Sequence, residues 1–164
     1  MDTAQIVHLL RETALSEATR SNPWIWPIAE MLHFVGLSLL LGVVGVLDLR
    51  LIGFMKGVPL PALRALLPYG LAGFAINAVT GAIFFIGSPE QYIFNLAFYY
   101  KLLFLCIAGA NALFFETTQG RRLMSRDLSG AMPAAFRIAG AVSLLSWFMV
   151  LYWGRMLAFV GNAF

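Results

Sequence analysis

The sequence predicts an all-α integral membrane protein, a four-helix bundle preceded by an amphipathic interfacial helix, in one domain over residues 1–164. Three observations predict it. Of the 164 residues 60% are hydrophobic and only 12% are charged, about half the roughly 25% of an ordinary soluble domain. Mean hydropathy is +0.82. The apolar residues fall into four long runs, each near the roughly 20 residues needed to cross about 30 Å of hydrocarbon as a helix. Disorder is excluded by the same composition, and four strands of this length cannot close a barrel.

Each element has its own justification. Asp2 to Arg20 reads as a short amphipathic helix, with Ile6, Leu9, Leu10 and Ala14 on one side and Gln5, His8, Arg11 and Glu12 on the wet side. Ser21-Asn22-Pro23 ends it, because proline lacks an N–H and restricts the residue before it. The charges in this region and the lack of an apolar core argue against a cleavable signal. The four spans are expected at about 24–47, 66–87, 96–115 and 138–160. Pro59 and Pro61 stiffen the first intervening loop, and Pro133 opens the last helix. Small residues recur within the spans, at Gly42 and Gly45, Gly70 and Gly73, Ala108 and Ala112, and Gly140 and Ser143. They favour close approach between helices.

Charge sets the orientation. The loops Asp48–Ala65 and Thr117–Arg137 together hold seven basic residues: Arg50, Lys56, Arg64, Arg121, Arg122, Arg126 and Arg137. The loop Ser88–Asn95 and the segment after Gly161 hold none. The positive-inside rule therefore places both basic loops in the cytoplasm and both termini outside. Trp24, Trp26, Tyr92 and Phe94 would mark the outer interface. The pI of 9.4 then reflects loop charge rather than nucleic-acid binding.

Ionisable groups inside apolar helices are expensive, so they need a partner or a purpose. Glu30 and His33 lie in the first span, Lys101 near the outer end of the third and Arg155 near the outer end of the fourth. Asp48, Arg50 and Glu116 lie at the inner rim, and Asn77 and Asn111 near mid-span. Trp26, Glu30 and His33 share a helix face. Asp48 follows Glu30 by 18 residues, five turns, and projects from that same side. The expected use of these groups is structural: two ion-pair clusters, with Glu30 on Lys101 or Arg155 outside and Asp48, Arg50, Glu116 and Arg121 inside.

Two alternatives compete. A proton or ion route could pass His33, although the stripe has a gap before Asp48. Alternatively His33 could ligate b-type haem iron, with Met149, Met156 or a second copy's His33 as the other axial ligand. In that reading Glu30 orients or charge-balances the imidazole, and Gly36, one turn on, leaves room for the macrocycle. Phe74, Phe84, Phe85, Phe104 and Trp147 would supply a dry pocket. Soluble-enzyme signatures are missing: there is no phosphate-binding glycine loop, zinc-spaced histidine pair or serine elbow, and one cysteine, Cys106, forms no framework. The chain is thus not expected to be an enzyme on its own.

Trp26-Pro27-x-x-Glu30-x-x-His33-x-x-Gly36, followed by Gly45-x-x-Asp48-Leu49-Arg50-Leu51-x-Gly53, resembles a family of small bacterial inner-membrane proteins of unknown function. Gly81, Phe84, Phe85, Pro89, Tyr92, Asn95, Phe98, Lys101, Asn111 and Gly154-Arg155 extend the likeness over nearly the whole chain. The resemblance implies a four-helix membrane fold with Glu30, His33, Asp48, Arg50, Lys101, Asn111 and Arg155 as signature positions, and implies no activity. A fainter likeness, to cytochrome b561 and copper-resistance-D type bundles, rests mostly on His33. The function expected from all this is that of a small membrane subunit supporting a homo-oligomer or a larger membrane complex, with haem binding and ion conduction as alternatives.

Overall fold

A computed structural model describes residues 3–120 and 132–160. Every element among them is helical. Four helices are long and apolar enough to cross a membrane.

The expected interfacial helix over 2–20 is two helices, α1 (Thr3–Arg11) and α2 (Ala14–Ser21). The break is chemical. Thr13 is extended and accepts a hydrogen bond from the Ser16 N–H, so it caps α2, while its hydroxyl donates to the Leu10 carbonyl at 2.7 Å. A threonine that can bond locally in this way competes with helix continuation. Arg20 then reaches back: its Nη2 donates to the Arg11 carbonyl at 2.9 Å, satisfying one of the orphan acceptors at the end of α1.

The helix α3 (Ile25–Ile52) is 28 residues long, about 42 Å at 1.5 Å per residue. It runs five residues past the expected end at Leu47, so Asp48 and Arg50 lie within the helix instead of in a loop. The stop comes at Gly53, whose φ of 117° a side chain would oppose. Bonds from the Gly53 N–H to Arg50 and Leu49 and from Phe54 N–H to Leu49 close the end. After α4 (Leu60–Arg64), Pro68 interrupts the ladder and α5 (Leu67–Gly87) begins afresh. The short α6 (Pro89–Ile93) turns the chain, and α7 (Leu96–Phe115) fills its expected span before a π-turn at Glu116–Gly120. The last helix, α8 (Ala134–Met156), starts four residues earlier than expected, directly after Pro133, and ends four earlier than Val160.

The packing order is α5, α3, α8, α7, with α3 and α8 central. Glycine makes the α3–α5 crossing. A Cβ on Gly36 would lie 2.8 Å from the Gly73 carbonyl oxygen, and one on Gly73 only 2.6 Å from the Gly36 carbonyl oxygen. The backbones therefore touch, as small residues permit. At the α3–α8 crossing a Cβ on Gly140 would meet the Asp48 carbonyl oxygen at 2.9 Å. Gly42 and Gly45, expected to pack, instead have nothing within 4 Å of an added Cβ. Near α4 an apolar cluster of Leu51, Leu60, Met132 and Phe136, flanked by Leu47 and Phe115, locks the helix ends together.

Candidate functional site

The polar residues form two groups, one at each end of the bundle. At the α6 end, His33 on α3 faces Thr80 on α5. His33 Nδ1 lies 2.7 Å from Thr80 Oγ1, which in turn lies 2.8 Å from the Ile76 carbonyl oxygen. A carbonyl only accepts, so the Thr80 hydroxyl donates to Ile76 and must accept from His33. That places the imidazole proton on Nδ1 and leaves Nε2 with a free lone pair. Nε2 has no hydrogen-bond partner among the described residues. It is the atom here best able to take a metal or haem iron. The ring is also held by Phe84, edge-on at 5.5 Å between centroids.

Glu30 is one turn earlier and exposed. It accepts a 3.1 Å bond from Trp26 Nε1, and the Trp26 ring leans on Phe84 at 5.1 Å. The expected ion pair with Lys101 or Arg155 does not form. Lys101 lies along Gly154, its Nζ 3.8 Å from where a Cβ would stand. Arg155 instead covers the Phe159 ring at 5.2 Å, a cation–π contact. The ion pairs within 4 Å among the described residues are His8–Glu12, Arg11–Glu90 and Arg64–Glu116. Arg11–Glu90 ties α1 to α6 above this group. Beneath α6, Phe85 stacks on Phe98 at 5.6 Å and Tyr92 meets Phe98 at 5.4 Å, so α5 and α7 meet here through aromatic side chains. Burial, with the Glu30 charge adding, pushes the Tyr92 phenol up to about 12.

The space expected beside Gly36 for a macrocycle is filled. Gly73 and the amide of Asn77 occupy it, with Asn77 Nδ2 only 2.7 Å from where a Gly36 Cβ would stand. Asn77 donates to the Gly73 carbonyl at 2.9 Å, while its buried Oδ1 has no partner. Met149 and Met156 are half-buried on α8.

At the α4 end, the expected cluster of Asp48, Arg50 and Glu116 separates. Residues two apart on a helix do not face each other. Arg50, 7% exposed, donates through Nε to the Val58 carbonyl at 3.0 Å, fastening the loop after α3. Glu116 pairs with Arg64 at 2.6 Å, and Arg121 lies outside the described residues. Asp48, 4% exposed, turns toward Ser143 on α8. It borders a cavity of about 120 Å³ whose polar lining is Asp48, Ser143, Asn111, Arg64 and Glu116. Asn111 Nδ2 donates to the Ala139 carbonyl at 3.0 Å, joining α7 to α8. The stripe along α3 is thus split, with His33 facing α5 and Asp48 facing α8.

Sequence reasoning missed Thr80, a short polar side chain in apolar surroundings, and gave three others different roles: Ser143 as a small packing residue, Asn95 only within the resemblance, and Arg64 only for its charge. Asn95 is 3% exposed and bonds to both Ala97 N–H and the Leu157 carbonyl.

No family model, curated protein or solved structure matches the chain.

Proposed function

We propose that the chain is a multi-pass integral protein of a bacterial inner membrane, with both termini periplasmic, that works as a small structural or assembly subunit by self-association or within a larger membrane complex. Large apolar side chains on the outward faces support insertion: Phe34, Leu71 and Leu113 are each 68% exposed, a surface suited to lipid and not to water. The resemblance carried by Trp26, Glu30, His33 and Asp48 supports the inner-membrane assignment.

One observation carries association. Gly70, Gly73 and Gly140 are used up inside the bundle, while Gly42, Gly45 and Gly109 stand in open space on α3 and α7. Helices in lipid join by close packing at such positions, since apolar burial supplies no drive there. Gly109 lies one turn from the exposed Cys106, on the same face. Mild oxidation of native membranes is expected to link two copies through Cys106, with the dimer weakened by Gly109→Leu and lost in Cys106→Ser. No Cys106 dimer, together with a monomeric mass in mild detergent, would contradict self-association.

A second reading, ligation of b-type haem iron, has the partnerless His33 Nε2 in its favour and the filled space beside Gly36 against it. It predicts a Soret absorption band in protein made with ample haem, lost in His33→Ala. A colourless wild type contradicts it.

A further inference from the structure

We propose that Asp48 is a proton-exchange site served by water in the cavity at the α4 end of the bundle. Asp48 is 4% exposed, and its buried Oδ2 has no hydrogen-bond partner. A charged oxygen buried without a partner is costly, and a proton or water relieves it. The cavity it borders, about 120 Å³, has room for roughly four waters at about 30 Å³ each. Its lining is mostly apolar, and the polar groups that could hold water are few. Asn111 spends its amide on the Ala139 carbonyl and keeps Oδ1 as an acceptor, and the Ser143 hydroxyl lies beside Asp48.

The charged groups around Asp48 define the route. On its own helix, Arg50 points away, into the loop at Val58. On α4, Arg64 is bound to Glu116 at the end of α7, and both line the cavity. The Glu116 side chain is 55% exposed, so this pair forms the rim between cavity and solvent. On α8, Arg137, one turn before the crossing glycine Gly140, is exposed, and α5 brings no acid or base to the cavity. Among the described residues, Asp48 is therefore the acid set deepest in a largely apolar recess whose rim carries the Arg64–Glu116 ion pair. The exchange is a simple acid–base step: a cavity water, protonated from solvent at the rim, gives its proton to the carboxylate where Asp48 borders the cavity, and the reverse step returns it. Toward the α6 end, Leu40 is buried against the Gly36–Gly73 crossing, so exchange is confined to the α4 side.

Infrared difference spectra of the full-length protein in detergent, taken between two pH values, test this. A carboxylic-acid C=O band is expected that shifts in D2O and vanishes in Asp48→Asn. Asp48→Glu should move the band, and this decides the matter if Asp48→Asn fails to assemble. Ala112→Leu, which fills the cavity from α7, should slow deuterium exchange of the band several-fold. No band in wild type, a band unchanged in both Asp48 variants, or stabilisation by sodium in place of a proton-dependent band would overturn the proposal. Exchange unaffected by Ala112→Leu would overturn the cavity route.

Discussion

Gly73→Ala is expected to lower the thermal stability of the protein sharply in detergent, while Gly42→Ala leaves it unchanged or slightly raised. The added Cβ at position 73 would stand 2.6 Å from the Gly36 carbonyl oxygen and 2.8 Å from the Leu40 nitrogen. Both are backbone atoms of α3, so no side chain can swing aside and the helices must separate. Overpacking of this kind costs about 1–3 kcal/mol, occasionally more, and backbone contact places this site at the upper end. The better helix propensity of alanine returns up to about 1 kcal/mol, so a net loss near 2 kcal/mol is expected. Separation would also weaken the Asn77 and Thr80 contacts with α3. Gly42 has open space around it, so its substitution gains the propensity alone. Equal melting behaviour of the two variants would show that the α3–α5 crossing is not as close as described.

The second large effect is at Asn95. Its Oδ1 accepts from the Ala97 N–H at 3.0 Å and its Nδ2 donates to the Leu157 carbonyl at 2.9 Å. One side chain thus caps the start of α7 and satisfies the end of α8. Asn95→Ala removes a cap worth about 0.5–2 kcal/mol and leaves a shielded carbonyl unpaired at about 1–3 kcal/mol. A total loss of about 2–4 kcal/mol is expected. Asn95→Ser keeps a good capping hydroxyl but is too short for Leu157, so it should recover roughly the capping part. Thermal melts of the three proteins check the ranking. If serine is no better than alanine, capping contributes nothing here.

The long helices were legible because hydrophobic runs and their stop signals are local. Pro133 marks the start of α8 in the sequence, whereas Gly53, Pro68 and the Asn95 cap set boundaries by backbone and side-chain chemistry that the hydrophobic runs alone do not mark. The break at Thr13 was missed because amphipathic spacing continues through it, while a hydroxyl competing for the Leu10 carbonyl leaves no mark in the pattern. The polar residues were legible by type and not by partner. Glu30 was assigned a cation by depth, yet its nearest donor is the indole one turn back on its own helix. Arg64 and Glu116 are 52 residues apart, and only the fold of α4 against α7 brings them together. Gly36 was read as free space, when a glycine facing another glycine marks contact between backbones.

The central claim, a bundle inserted with its basic loops inside, is tested most directly by labelling single cysteines in a Cys106→Ser background. Gln91, within α6, and Lys56, in the loop before α4, are both exposed and lie at opposite ends of the helices. With an impermeant thiol reagent on intact cells whose outer membrane is opened, Gln91→Cys should be modified and Lys56→Cys should react only after the inner membrane is broken. Modification of Lys56→Cys but not Gln91→Cys in intact cells would invert the orientation. Equal modification of both would contradict insertion altogether.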